Sequence, residues 1–141
     1  FALKQALCRA SPGAAAQCCD ASTQLTKEGF YRDAKETLAA ARAAFPEDAP
    51  AIRARIAGVH LAQGDSITAG TLAHQLIKED PSNVIAWQVY SEVLARHTTL
   101  DDVRGAFTNF QHAGVAIPET IRAFVASGLA ERYPGAEQEL P

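Results

Sequence analysis

The sequence has no methionine, only one tryptophan and only three cysteines, all of them within the first twenty residues. An odd cysteine count excludes a fully paired disulfide framework. No apolar run approaches the roughly 18 residues of a membrane-spanning helix, so we expect no insertion into a membrane. The net charge of −3 leaves no basic surface that could neutralise many phosphates, which argues against nucleic acid as a partner.

Sequence signatures of chemistry are missing as well. The chain contains no HExxH or CxxC pair, no phosphate-binding glycine loop of the P-loop or GxGxxG type, and no GxSxG around a serine. None of the four histidines has a second histidine four positions later, which is the spacing that favours a zinc site on a helix. We therefore predict a protein that is not an enzyme, with no catalytic residue, no metal and no cofactor.

Alanine fills 29 of the 141 positions, and this composition favours α-helix. Runs that alternate apolar and polar residues, as a half-buried strand would, are absent. Oxygen-bearing residues that favour helix N-termini precede several of the predicted helices: Asp48, Asp65, Ser82 and Thr99. The sequence thus predicts an all-α protein of about eight short helices, paired as antiparallel hairpins.

A repeat of about 34 residues is the most informative pattern in the chain. Pro12, Pro46 and Pro81 are 34 and 35 positions apart, and Gly29 and Gly64 are 35 apart. Three small or apolar pairs share the 35-residue shift: Ala34 with Ala69, Leu38 with Ala73, and Ala41 with Leu76. One register therefore aligns a glycine, a proline and three packing positions.

With this spacing the chain resembles the tetratricopeptide repeat (TPR) family, whose units of about 34 residues each contain a first and a second helix. Gly29 to Ala34 and Gly64 to Ala69 are similar to the turns between the two helices of a unit. Asp80-Pro81-Ser82-Asn83, followed by Ala86-Trp87, is similar to the junction between units. The resemblance covers roughly residues 14–115.

The resemblance implies a right-handed superhelical array of antiparallel helix pairs. The expected single domain divides as follows: a partial leading helix at 1–12, repeats at 14–48, 49–83 and 84–116, a capping helix at 117–132, and a tail at 133–141 that we expect to be frayed. Each unit would bury its apolar face only against its neighbours.

The resemblance also implies a concave groove lined by the first helix of each unit. Carried over position by position, the groove would be formed by Thr23, Lys27, Ala51, Ala54, Gly58, Leu61, Ala62, Ile85, Gln88, Glu92 and Arg96. Its small and apolar centre would accept a peptide or a helix of another protein. The alternative is that Ala51, Ala54 and Gly58 are simply packed against a neighbouring helix.

A known mode of the family holds a partner's terminal carboxylate with basic and amide side chains. The positions that would carry it here are Cys19, Thr23, Arg55, Ile85 and Val89. Arg55 alone has the required chemistry, so capture of a terminal carboxylate is not expected.

The resemblance favours a protein-interaction module that is part of a larger bacterial scaffold for secretion, envelope assembly or polysaccharide export, in the cytoplasm or the periplasm. One alternative is a self-associating unit that builds a homo-oligomer. Another is a helical enzyme domain that would use His60, Glu92 and the cysteines. The sequence leaves both alternatives open.

The cysteines and histidines have structural interpretations. The three cysteines are expected to be buried as small apolar residues, and a disulfide from Cys8 to Cys18 or Cys19 is the alternative. Among the histidines, His60 is expected to be half-buried and His74 solvated. His97 and His112 are expected near helix C-termini, where an imidazolium is favoured. The single tryptophan, Trp87, is expected to pack between units.

Overall fold

The computed structural model describes residues 14–141, with side chains from residue 17 onward. Within this range the chain forms seven α-helices and no strand, which confirms the all-α prediction. The helices are α1 (Ala14–Lys27), α2 (Tyr31–Ala44), α3 (Ala49–Ala62), α4 (Ser66–Glu79), α5 (Val84–Arg96), α6 (Leu100–His112) and α7 (Glu119–Arg132), with 3-10 turns at Pro46–Asp48 and Ala136–Gln138. None of these helices is both long and apolar enough to cross a membrane. The predicted leading helix at 1–12 lies outside the described residues.

The turns between paired helices fall where the repeat predicts them. Gly29 and Gly64 adopt φ angles of 85° and 91°, a left-handed conformation that glycine reaches without a steric penalty. The third turn has threonines in place of glycine. There the Thr98 hydroxyl donates a hydrogen bond to the Val93 carbonyl at 2.8 Å, which satisfies an acceptor at the end of α5.

The helix starts agree with the predicted caps in two cases. Asp65 and Thr99 each accept a hydrogen bond from a backbone amide in the first turn of their helix, as predicted. Asp48 stands at the N-cap of α3 but makes no capping hydrogen bond. Ser82 does not cap α5, because its hydroxyl donates to the Asp80 carboxylate while the Asn83 side chain accepts the helical amide at 3.1 Å.

Consecutive helices pack against each other in four cases: α1 on α2, α2 on α3, α3 on α4, and α4 on α5. Contacts also join α1 to α3, α3 to α5 and α5 to α7. The buried side chains form two clusters, one around Leu38 that involves α1, α2 and α3, and one from α3 to α7 around Phe107 and Phe110. Both clusters include residues of α3, so this helix has buried side chains in each of them.

The aromatic ring of Phe110 holds α6 against α4 and α5. It stacks on His74 with ring centroids 4.7 Å apart, and it also contacts Trp87 and Tyr90 at 5.3 and 5.6 Å. Trp87 is buried, and its indole nitrogen donates to the Pro81 carbonyl at 2.8 Å. Trp87 is thus a core residue whose ring contacts α6, the second helix of its own pair, and its packing between units stays a prediction.

Helix α7 approaches α5 closely because Gly128 has no side chain. A Cβ atom at Gly128 would lie 2.6 Å from the Cβ of Ala95. The Arg132 guanidinium donates hydrogen bonds to the carbonyls of Ala95 and Thr98, each at 2.8 Å. These bonds satisfy carbonyl groups at the C-terminus of α5.

The segment after α7 packs instead of fraying. Ala136 is buried, Leu140 contacts the larger core cluster, and the Arg122 guanidinium donates to the carbonyl oxygen of Pro141. Gly135, with φ 83°, supplies the reversal that brings this segment back onto α7.

Candidate interaction groove

A depression of about 220 Å³ lies between α1, α3 and α5. Four of the predicted groove residues line it, namely Thr23, Lys27, Gly58 and Ile85. These four come from three helices that are remote from one another in the sequence. The structure therefore brings part of the predicted set together on one surface.

A second depression of about 370 Å³ lies at the starts of α3 and α5. It contains the predicted Ala51, three acidic side chains (Glu47, Asp48 and Asp80), and Ile85, which also lines the first depression. Because Ile85 is common to both, the two depressions are neighbours. We refer to the two together as the α1–α3–α5 groove.

The predicted face of α3 is partly wrong. Ala51, Arg55 and Gly58 follow one another at steps of four and three, so they share a helix face, and all three line the groove. Ala54 lies one position before Arg55, which turns it by about 100° around the helix. It is fully buried in the larger core cluster, so we reassign it as a packing residue.

The other predicted residues lie outside the linings of these two depressions. Leu61 is half-buried and packs against the core, and Ala62 and Gln88 are exposed. Glu92 and Arg96 form the ion pair expected from their spacing of four residues. The Arg96 guanidinium also lies 5.5 Å from the centre of the Phe124 ring on α7.

The hydroxyl groups along α1 are already bonded to the helix backbone. Ser22 and Thr23 both donate to the Cys19 carbonyl, at 2.8 and 2.9 Å, and Thr26 donates to the Ser22 carbonyl at 2.7 Å. Such bonds to a preceding turn are usual for these side chains within a helix. The hydroxyl oxygens that remain can accept hydrogen bonds from a ligand, while Lys27 and Arg55 supply the charged donors.

Cys19, on α1, is a buried free thiol. Burial raises the pKa of Cys19, and the nearby charge of Arg55 offsets part of that effect. The thiol is therefore protonated at neutral pH, a state in which cysteine is a poor nucleophile. Cys18 is disulfide-bonded, and the predicted role of Cys8 lies outside the described residues.

A third depression, of about 530 Å³, lies between α4, α5 and α6. It is lined by His74, whose Nδ1 atom is 2.9 Å from the Tyr90 hydroxyl. Burial, followed by the charge of Lys78, lowers the pKa of His74, and burial raises that of Tyr90 to about 12. The Tyr90 hydroxyl and a neutral imidazole thus share one hydrogen bond, and its direction is set by which ring nitrogen carries the proton. The expectation that His74 is solvated is wrong, because it is half-buried and stacked on Phe110.

His60 is half-buried, as predicted, and its Nδ1 atom lies 3.6 Å from a carboxylate oxygen of Asp65. His60 and Glu92, which the enzyme alternative would use, line none of the three depressions described above, nor do Cys18 and Cys19. Among residues 14–141, no three histidine, cysteine or acidic side chains are grouped so that they could hold a metal ion.

No model of a known protein family matches the chain, and no curated protein or solved structure is similar to it. The resemblance to the TPR family therefore depends on the residue spacing described above. The α1–α3–α5 groove has to be interpreted from its own geometry and charges.

Proposed function

We propose that the protein is a non-catalytic protein-interaction module whose helix hairpins stack as a TPR-like right-handed solenoid. Its α1–α3–α5 groove would bind a peptide or a helix of a partner protein. The observation that supports this proposal is the meeting of Thr23, Lys27, Gly58 and Ile85 in one depression. These residues come from the helices that the family resemblance assigns to the inner face.

The pattern of helix contacts supports the stacked arrangement. The first helix of each pair contacts the first helix of the next, which joins α1 to α3 and α3 to α5, and α5 to α7 in the same way. The second helices α2 and α4 pack against the first helix that follows them. A solenoid built from pairs that contact only their neighbours requires these two kinds of contact.

The shape of the groove suits a segment of polypeptide. Gly58 and Ala51 let another backbone approach closely, and Ile85 offers an apolar contact between them. The groove belongs to helices that pack on one another, α1 on α3 and α3 on α5, so little of the binding free energy would be spent on ordering the protein.

The test uses a random peptide library displayed on phage and selected on the full chain. Replacing Gly58 with arginine fills the groove, and we expect it to lower the affinity for the selected peptides at least tenfold. The matched control is Gly105→Arg on α6, where a side chain would meet nothing within 4 Å. Neither variant may unfold at a lower temperature than the parent, as followed by circular dichroism. Peptides that bind Gly58→Arg as well as the parent would exclude the groove.

Self-association is the second candidate function. Among residues 17–141, four large apolar side chains are exposed, namely Phe30 (53%), Ile67 (83%), Val84 (65%) and Phe124 (41%). A second copy of the chain could cover one of them, which would make the mass measured by light scattering rise with concentration. A constant monomer mass would favour the adaptor function. The bacterial scaffold setting, in the cytoplasm or periplasm, is a further prediction from the family resemblance.

A further inference from the structure

The two ends of the α1–α3–α5 groove carry opposite charges. Lys27 and Arg55 line the depression between α1, α3 and α5. The depression at the starts of α3 and α5 is lined instead by three carboxylates, from Glu47, Asp48 and Asp80. Ile85 lines both depressions, so an apolar contact separates the basic end from the acidic end.

These five charges are not neutralised by the protein. Within the described part of the chain, none of them forms an ion pair. The nearby Arg53 differs, because it pairs with Glu79 at 2.8 Å. Asp80 accepts a hydrogen bond from the neutral Ser82 hydroxyl, which leaves its charge in place. Both ends of the groove therefore present net charge to a ligand.

Helix dipoles do not reverse the sign of the acidic end. The N-termini of α3 and α5 lie there, and each contributes the equivalent of roughly +0.5 charge. Three carboxylates contribute about three negative charges, which outweigh the roughly +1 of the two dipoles. This end of the groove consequently attracts a cation.

The distance between the two ends sets the spacing of the groups that could bind them. Asp48 and Arg55 are seven positions apart along α3, which corresponds to about 10 Å along the helix axis. An extended chain covers that distance in about three residues.

We propose that the groove binds an extended partner segment that carries both charges. Its acidic side chain would lie on Lys27 and Arg55, and a basic side chain about three residues away would lie at the acidic end. An apolar side chain between the two would contact Ile85. This inference rests on the proposed function and adds to it the class of ligand.

The library peptides whose binding is weakened by Gly58→Arg are synthesised, and their sequences and affinities are compared. The enriched peptides are expected to contain an acidic and a basic residue about three positions apart. In the double variant Lys27→Glu/Arg55→Glu, attraction becomes repulsion, and the affinity should fall by roughly fivefold or more. Salt should weaken binding to the parent, because the charged contacts lie at the surface.

A charge-swapped peptide separates loss of recognition from loss of folding. Replacing the acidic residue of the peptide with lysine should restore binding to the double variant and weaken binding to the parent. The control is Arg32→Glu/Arg42→Glu on α2, which makes the same change of net charge at two exposed positions. The affinity of this control variant for the peptide should stay within about twofold of the parent affinity, since exposed charges outside the groove contribute little.

The outcomes distinguish this inference from the proposed function. Suppose that Gly58→Arg weakens the peptides, but that they contain no acidic and basic pair or bind Lys27→Glu/Arg55→Glu with the parent affinity. Recognition by opposite charges is then overturned, while the proposed interaction module stands. If no selected peptide depends on Gly58, both proposals fail.

Discussion

At the residue scale, the surroundings of His74 explain its protonation state. Its imidazole lies between the Phe110 ring and the Tyr90 hydroxyl, which removes it from water without leaving Nδ1 unpaired. The Lys78 charge on the same helix further disfavours an imidazolium. Asp102 of α6 lines the same depression, but burial and Lys78 are the causes that lower the pKa.

This arrangement predicts how stability depends on pH. The folded pKa of His74 lies below its ordinary value of 6.5, so the unfolded chain binds the proton first as the pH falls. The contribution of His74 to the free energy of unfolding is thus complete at pH values above 6.5. It declines as the pH falls below 6.5, until the imidazole of the folded protein is itself protonated. Urea unfolding between about pH 7.5 and 5.5 measures the decline.

The control for this prediction is His74→Gln, in which the decline over the same pH range should be smaller than in the parent. Tyr90→Phe removes the hydrogen bond alone and should cost about 1 kcal/mol at neutral pH. If the parent and His74→Gln lose stability in parallel, the interpretation of His74 is wrong.

Single residues could be predicted where the cause is local in the sequence. Asp65 and Thr99 were identifiable as caps because each precedes a helix by one position. Ser82 competed with Asn83 for the same role, and the distinction depends on backbone geometry. The burial of His74 was not predictable, since Phe110 lies 36 positions away.

At the scale of the helix, two glycines in similar sequence settings have opposite roles. Gly105 on α6 faces open space, whereas Gly128 on α7 lies against Ala95 of α5. In the interior of a helix, glycine costs roughly 0.5–1 kcal/mol relative to alanine. Of these two glycines, only Gly128 makes a close contact between helices that offsets this cost.

The same substitution should therefore change stability in opposite directions at these two positions. Gly105→Ala should stabilise the protein by about 0.5–1 kcal/mol. Gly128→Ala should destabilise it by about 1–3 kcal/mol, because the added methyl forces α7 away from α5. Chemical denaturation of both variants measures the two changes in the free energy of unfolding. A stabilised Gly128→Ala would show that α5 and α7 leave room for a methyl group between them.

Helix boundaries were predictable because glycine, proline and capping residues mark them. The turns at Gly29, Gly64 and Thr98 fall where the repeat placed them. The contact of α7 with α5 and the return of the segment after Gly135 were not predictable, since both depend on partners that lie far away in the sequence.

At the scale of the whole molecule, Asn83 links two helix pairs. Its side chain caps α5 and also donates to the Pro50 carbonyl on α3 at 3.0 Å, across 33 positions of sequence. Asn83 is buried, so both hydrogen bonds are protected from water. The starts of α3 and α5 are thereby fixed relative to each other at the acidic end of the groove.

Two variants separate these two hydrogen bonds. Asn83→Ser keeps a capping oxygen but is too short to reach Pro50, and it should cost about 1 kcal/mol. Asn83→Ala loses both bonds and should cost about 2 kcal/mol. Thermal and urea unfolding measure the difference. An Asn83→Ser variant as stable as the parent would mean that the link to Pro50 contributes nothing.

The groove was predictable only in part. The repeat register identified Thr23, Lys27, Gly58 and Ile85, which meet in the structure. It did not reveal the charges of the two ends, because these depend on how the turn at Pro46–Asp48 and the junction at Asp80 come together.

The segment that returns onto α7 has a consequence for engineering. If the hairpins stack as proposed, Ala136 and Leu140 cover part of the surface beside α7 on which a further hairpin would dock. A designed version with more repeats would first have to delete residues 136–141. Grafting that segment behind the last added hairpin would then give the lengthened protein a ready-made cap.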